Sequence, residues 1–306
     1  VTAAQQGERV DQIAATAFPQ YSRARLQTWI LAADLLVDGL PVKSKARLKA
    51  GQCLQLKVQL PPVLVAQAQA IDLKISFEDE QLLVIDKPVG MVVHPAPGHA
   101  AGTLVNALLH YYPALDHLPR AGIIHRIDKD TSGLLMVAKT LNAHTQLVKQ
   151  LQFKQVQRVY DAVAVGAMIA GGLVDAPIGR HPTQRTKMAV NAQGKPARTH
   201  YRVSERFTQF TRLTVTLETG RTHQIRVHMA HIGYPLVGDA TYGRKGWAPK
   251  GGCPDLMATL HACQRQALHA TQLSFTHPLS GQWIEVNSPL PTDLLQLLAG
   301  LRAYDR

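Results

Sequence analysis

Apolar residues near the start of the chain recur at helical spacing, at Val10, Ile13, Ala14 and Ala17, until Phe18-Pro19 interrupts them. Ser22 stands where an N-cap belongs for a second helix carrying Leu26, Trp29 and Ile30. Leu35-Leu36-Val37 and Leu40-Pro41-Val42 flank Asp38-Gly39, a pair that favours a tight hairpin, and residues 54–60 alternate as a strand does. Together these predict a small helix–helix–strand domain over residues 1–60. Pro61-Pro62 and the Ala/Gln-rich residues after them carry no periodicity, so residues 61–74 read as a linker and 75–306 as a second domain.

In the second domain, apolar runs at 82–85, 134–138, 159–165, 213–217 and 283–286 predict strands. Helical spacing follows Thr103, Thr140 and Thr292, each placed to cap a helix that carries leucines at three- and four-residue intervals. Strands and helices do not alternate strictly, which favours a mixed α+β fold over a doubly wound parallel sheet. Two basic, Gly-containing stretches, 179–198 and 243–252, lack apolar periodicity and are expected to be exposed loops.

A length of 306 residues suits about two folded units. No apolar run approaches the roughly 18 residues of a membrane span, and residues 1–6 show no signal pattern. The three cysteines, Cys53, Cys253 and Cys263, form no C-x-x-C pair, so a reducing cytoplasm is the expected compartment. Charge adds a positive clue. A net charge of +12, with basic excess in both predicted domains, points to a polyanionic partner. Arg23 and Arg25 open the second helix, and Lys43, Lys45, Arg47 and Lys49 follow the hairpin at every second position; these read as a phosphate seat or, equally, as a solvated face.

Cofactor motifs are missing. Gly246 and Gly251 have P-loop spacing, but Gly252 stands where the lysine belongs; no G-x-G-x-x-G or G-x-S-x-G occurs, and no histidine is followed two places later by glutamate. Cys253, His261, Cys263 and His269 match no familiar metal-ligand spacing. The expectation is an enzyme without metal or cofactor. Polar residues concentrate instead in two segments beside apolar runs: His125-Arg126-Ile127-Asp128-Lys129-Asp130-Thr131-Ser132-Gly133, and Thr219-Gly220-Arg221-Thr222-His223-Gln224-Ile225-Arg226-Val227-His228. In the second, a strand ends and a helix begins, with Ile225, Met229 and Ile232 as its buried stripe and Arg226 one position off it. Taken singly, each segment reads as a catalytic loop or as a structural salt-bridge cluster.

Taken together they carry a resemblance. Residues 125–133 resemble the signature of the RluA/RluD family of RNA pseudouridine synthases, with Ile127 where leucine is usual. Residues 86–95 are similar to the family's first motif, Arg158-Val159-Tyr160 to its tyrosine strand, and 217–234 to its third. The match spans roughly residues 75–290 and is nearest to the large-subunit ribosomal RNA, RluD-type branch. Arg9-Val10-Asp11-Gln12, Tyr21-Ser22-Arg23-Ala24-Arg25 and Val37-Asp38-Gly39 resemble the αL-motif, or S4-like, RNA-binding domain.

The resemblance implies a pseudouridine-synthase catalytic domain with a mixed, mostly antiparallel sheet, behind an S4-like domain. It implies isomerisation of uridine in bacterial large-subunit (23S) ribosomal RNA, at several uridines of one stem-loop, by flipping the base out and exchanging the N1–C1′ glycosidic bond for a C5–C1′ bond. Asp128 is then the catalytic carboxylate, which suits an aspartate because its reference pKa of about 3.9 leaves it ionised near neutrality. Arg226 would be its ion-pair partner, Tyr160 would lie under the base, and Arg126 would fill the space the base vacates. Arg180 and Arg221, with Arg23, Arg25, Lys43 and Lys45, would hold the RNA backbone, as would basic loop residues such as Arg185, Lys187, Arg244, Lys245 and Lys250. The expected partner is large-subunit ribosomal RNA or its precursor particle, met by a monomer, with no membrane. Alternatives are a synthase acting on transfer RNA, a non-catalytic RNA-binding or ribosome-assembly protein, and an N-glycosidase that would release uracil.

Overall fold

Val10, Ile13 and Ala14 lie on one face of α1 (Val10–Ala17), and burying that face against Leu26, Trp29 and Ile30 of α2 (Arg23–Leu31) begins the core of the first unit. Asp38 and Gly39 both take positive φ, +51° and +80°, so the chain reverses in the tight turn that their types favour, between β1 (Leu35–Val37) and β2 (Leu40–Pro41). Of the predicted third strand, residues 58–60 lie outside the described residues, and β3 (Leu54–Leu56) pairs with the other side of β1. Asp11 is buried in α1; it accepts hydrogen bonds from Arg9, Arg23 and Gln27, which lower its pKa to about 2 against the upward push of burial.

The computed structural model describes residues 1–18, 23–57, 66–95, 98–184, 186–243 and 248–305, with Ala24 and Arg25 in backbone only. Tyr21, Ser22, Pro61, Pro62, Arg185, Arg244 and Lys245, as well as the side chain of Arg25, thus lie outside the described residues. The chain divides into two compact units, Val1–Val65 and Ala66–Arg306. Residues 66–74, expected within a linker, lie along the second unit: Ala66 and Leu73 pack on its core, the Gln69 backbone N–H donates to the Asn106 carbonyl, and its side chain accepts from Gly102.

Chain order in the second unit begins with β4 (Ile75–Glu78), β5 (Leu82–Lys87), α3 (Leu104–Tyr111), β6 (Ser132–Ala138), α4 (Leu141–Gln152) and β7 (Gln157–Val165). There follow β8 (Gly172–Asp175), β9 (Ile178–Arg180), β10 (Met188–Val190), β11 (Arg198–Arg206), β12 (Phe210–Leu217) and α5 (Gln224–His231). Then come α6 (Pro254–Ala262), β13 (Leu268–Thr276), β14 (Trp283–Asn287) and α7 (Thr292–Tyr304). Thr103 and Thr140 cap α3 and α4 as predicted, whereas α7 takes Pro291 as its N-cap and Thr292 as its first helical residue.

A nine-stranded sheet runs in the order β4-β5-β6-β13-β7-β12-β11-β8, with β14 added to β13. Its pairs are antiparallel except β6 with β13, so the fold is mixed α+β, as the pattern predicted. Both faces are covered, which explains why β6 reads as a continuous apolar run rather than an alternation. Leu135 and Val137 point into one core with α3 and α5, while Leu134 and Met136 point into the other with α4. A third cluster joins Val163, Val165 and Phe210 to leucines of α6 and α7.

The expectation of a loop over 179–198 is overturned. β9 and β10 form an antiparallel hairpin, and Ile178, Met188 and Val190 pack around Val227 and Tyr242, so three dispersed apolar residues suffice to fix it.

Candidate active site

Ile123 and Ile124 run beside β6, the first bridging Val137 and the second donating its N–H to Met136, before the chain turns at Asp128–Thr131 and re-enters as β6 itself. That turn is held from several sides. Lys87, fully buried, donates Nζ to the carbonyls of Pro88 (2.7 Å) and Lys129 (3.0 Å), and the Gly90 N–H reaches the same Lys129 carbonyl. Burial pushes the Lys87 pKa down to about 8, with the Asp130 and Asp128 charges working against it. Arg265 donates to the Asp130 carbonyl and Gln266 to Thr131 Oγ1. Asp128 therefore projects from a clamped turn at the entry to a central strand.

Opposite lies the start of α5. His223, its N-cap residue, has φ +56°, in the left-handed region that a histidine rarely adopts. One turn later Arg226 donates Nη1 to Asp128 Oδ2 (3.0 Å) and a two-pronged pair, Nε and Nη2, to Asp239 (2.7 and 2.9 Å). Asp239 is buried and also accepts from the N–H groups of Thr241 and Tyr242. Burial would raise its pKa, but Arg226 and those N–H groups bring it below the usual value; reciprocally, the two carboxylates raise that of Arg226 against burial. The Arg226 guanidinium also lies over the Tyr242 ring, 5.1 Å from its centre, and the Tyr242 hydroxyl pairs with His223 Nδ1 at 2.8 Å. His223 Nε2 is 4.0 Å from Asp128 Oδ1. Among the described residues Oδ1 accepts no hydrogen bond, so one carboxylate oxygen is tied to Arg226 while the other faces the cleft.

Tyr160 enters from β7. It is 5% exposed, and burial, aided by the Asp128 charge and opposed by Arg158, raises its pKa, so its phenol stays protonated near neutrality. Asp128, Tyr160 and Arg226 line one cleft, together with Arg126 and Arg221. The exposed Arg126 stands at its mouth; Arg221, partly buried, donates Nε to the Pro196 carbonyl. Arg180 is exposed on β9 and does not line this cleft. In the first unit, Arg23 is ion-paired with Asp11 at 2.9 Å, while Lys43 and Lys45 are exposed.

Nothing in the sequence singles out Asp239 or Tyr242, and Lys87, His223 and Arg158 stand inside the motifs without a role of their own. Asp239 follows Leu236-Val237-Gly238 with no spacing rule to mark it, because its partner is thirteen residues away on another element. Among the described residues no group of three or more His, Cys, Asp or Glu side chains is placed to hold a metal ion, and no helix is long and apolar enough to cross a membrane.

Comparisons with known proteins bear on this geometry. A family model described as RNA pseudouridylate synthase matches residues 81–231. Ribosomal large subunit pseudouridine synthase D of Pasteurella multocida (strain Pm70) is 50% identical over 300 residues, covering 98% of this chain and 93% of the relative. The protein of that name from Pseudomonas aeruginosa is 53% identical over 296 residues, covering 97% and 92%. Among solved structures, human RNA Pseudouridylate Synthase Domain Containing 4 superposes with a TM-score of 0.60 at 25% identity, covering 75% of this chain and 93% of that one.

Proposed function

The chain belongs to the RNA pseudouridylate synthase family, within the type of the ribosomal large subunit pseudouridine synthases D, and from that premise we propose how its cleft works. It is an RNA pseudouridine synthase whose substrate is large-subunit ribosomal RNA. A uridine of a structured stem-loop leaves its stack, at a cost of a few kcal/mol, and enters the cleft while Arg126 takes its place between the neighbouring bases. The base lies against the Tyr160 ring, and the ribose faces Asp128.

Asp128 then attacks C1′ through its free oxygen, or takes the C2′ proton; either step breaks the N1–C1′ bond and leaves the electron pair on the uracil. The base turns within the cleft and C5 bonds to C1′ as the Asp128–C1′ bond breaks or, in the elimination branch, as Asp128 returns the proton to C2′; the proton leaving C5 is balanced by one gained at N1, so nothing is added to or lost from the RNA. Because its hydroxyl remains protonated, Tyr160 relays the C5 proton rather than standing as a phenolate base. Arg226, gripped by Asp239, keeps Asp128 pointed at the sugar. Residues 1–60 supply a second, S4-like hold on the RNA through Lys43 and Lys45.

The observation that carries this reading is Asp128 between Arg226 and the open cleft, with one oxygen that accepts no hydrogen bond among the described residues. The test is release of tritium from C5-labelled uridine in a large-subunit ribosomal RNA transcript. Wild-type protein is expected to release it, and Asp128→Asn to fall by at least about 10³-fold with RNA affinity changed less than about threefold, the loss of an essential nucleophile rather than of binding. Release of free uracil, or no release by the wild type, would sink the reading.

A further inference from the structure

Arg158 lies two residues before Tyr160 on β7, so both side chains leave the same face of the strand and line the same cleft. It is 5% exposed, yet it forms no ion pair among the described residues. Its hydrogen bond to the Leu217 carbonyl is long, at 3.4 Å, and its buried Nε has no hydrogen-bond partner among the described residues. A guanidinium stripped of water and left without a counter-ion costs several kcal/mol, so a fold that keeps one keeps it for an anion that arrives later. Space for that anion is preserved: a Cβ on Gly220 would lie 2.7 Å from Arg158 Nη1, so a side chain there would crowd the guanidinium.

His125 repeats the pattern next door. Its Nε2 accepts the Met136 N–H at 3.3 Å, which puts the ring proton on Nδ1, and Nδ1 is buried without an acceptor. Both residues line a groove of about 840 Å³ that shares Arg126, Arg158, Gly220 and Arg221 with the catalytic cleft and adds Arg120, Lys154 and Arg198. The one carboxylate lining it among the described residues, Glu218, is already engaged by Lys154 and His200, each at 2.6 Å, and by Arg198 at 3.3 Å, and Arg198 is also paired with Asp175 at 2.9 Å, so Lys154 and Arg198 are partly neutralised whereas Arg158 is not. The groove is thus rich in donors and positive charge and has almost no acceptor to spare.

We propose that Arg158, with His125 beside it, seats a backbone phosphate adjacent to the target uridine, and that the groove behind it carries the continuing strand. The assignment rests on the reading that the cleft receives a flipped uridine. A phosphodiester supplies both the charge that Arg158 lacks and the oxygen acceptors that both donors lack; a uracil carbonyl would supply only the latter.

The experiment compares wild type, Arg158→Lys and Arg158→Met in binding and tritium release. On a large-subunit ribosomal RNA transcript, the slope of log affinity against log salt is expected to shrink by about one phosphate contact, roughly 0.7 to 0.9, for Arg158→Met and to hold for Arg158→Lys. On the fragment bearing the modified uridine, a single neutral methylphosphonate on one side of that uridine is expected to weaken wild-type binding about tenfold and Arg158→Met binding less than about twofold. Thermal stability of Arg158→Met should be unchanged or higher, since an unpaired buried charge is removed. Equal methylphosphonate penalties and equal salt slopes would overturn the phosphate seat in favour of base recognition. An unfolded Arg158→Met would overturn it in favour of a structural role. A wild type that binds but releases no tritium would instead defeat the catalytic reading, and the salt slopes would still decide Arg158.

Discussion

Asp239 touches no part of the cleft that a nucleotide would occupy, yet it decides where Arg226 points. Two of the three Arg226 nitrogens bind it, leaving Nη1 alone for Asp128. Asp239→Asn weakens one prong of that pair and leaves a buried guanidinium undercompensated. The expected result is a loss of about 2–4 kcal/mol in stability, read by urea unfolding, and a fall in kcat of at least about tenfold with KM nearly unchanged. A fall in stability with kcat intact would show that Asp239 supports the fold alone. At this scale the polar segments that hold Asp128 and Arg226 stand out beside apolar runs, but it is the family resemblance that pairs the two, since each segment alone reads equally as a structural salt-bridge cluster. Asp239 was not legible, because nothing local in Gly238-Asp239-Ala240 reports a partner on another element. Arg158 was legible as part of a motif, but its missing counter-ion is a property of three-dimensional surroundings.

Among elements, those with long apolar runs were read correctly and those built by dispersed residues were not. β6 declares itself, since burial on both faces leaves Ser132 as its one polar side chain, and β7 does so by the apolar run that follows Asp161. The β9–β10 hairpin hides within a basic stretch, because the apolar residues that hold it down, Ile178, Met188 and Val190, are dispersed. Strand order also escapes a linear reading: β13 meets its sequence neighbour β14 but also β6 and β7, whose paired residues lie more than a hundred positions away. Gly133 shows what that crossing demands. It has φ +106°, and a Cβ there would strike the Ala270 carbonyl oxygen and lie 2.7 Å from its nitrogen, at the parallel contact of β6 with β13. Gly133→Ala is therefore expected to cost at least about 3 kcal/mol, as overpacking and a strained φ combine, and to displace the Asp128 turn just before it. Calorimetry that finds the variant as stable as the parent would contradict the crossing as described.

For the molecule as a whole, acid is the predicted weakness. Burial lowers the pKa of His94, His223, His228 and His269, and it pushes His125 down to about 3 with help from Arg158. The unfolded chain binds protons at these sites below about pH 6.5 and the folded chain does not, so their contribution is complete above that pH and declines as pH falls. Asp11 and Glu218, each held near 2 by basic partners, extend the loss below about pH 4, where the unfolded carboxylates protonate first. Urea midpoints should thus fall steadily from pH 7 to pH 5; a maximum near pH 5 would contradict the burial of these rings. Two folded units and a basic surface were foreseeable from length, pattern and net charge, but how a cationic groove opens into the cleft required the fold. The central claim is that Asp128 makes this protein convert uridines of large-subunit ribosomal RNA. Its most direct test is carbodiimide mapping of pseudouridine in that RNA from cells lacking the gene, complemented with the wild-type or the Asp128→Asn protein. The account predicts stops that return with the wild type and stay absent with the variant; their return with Asp128→Asn would contradict it.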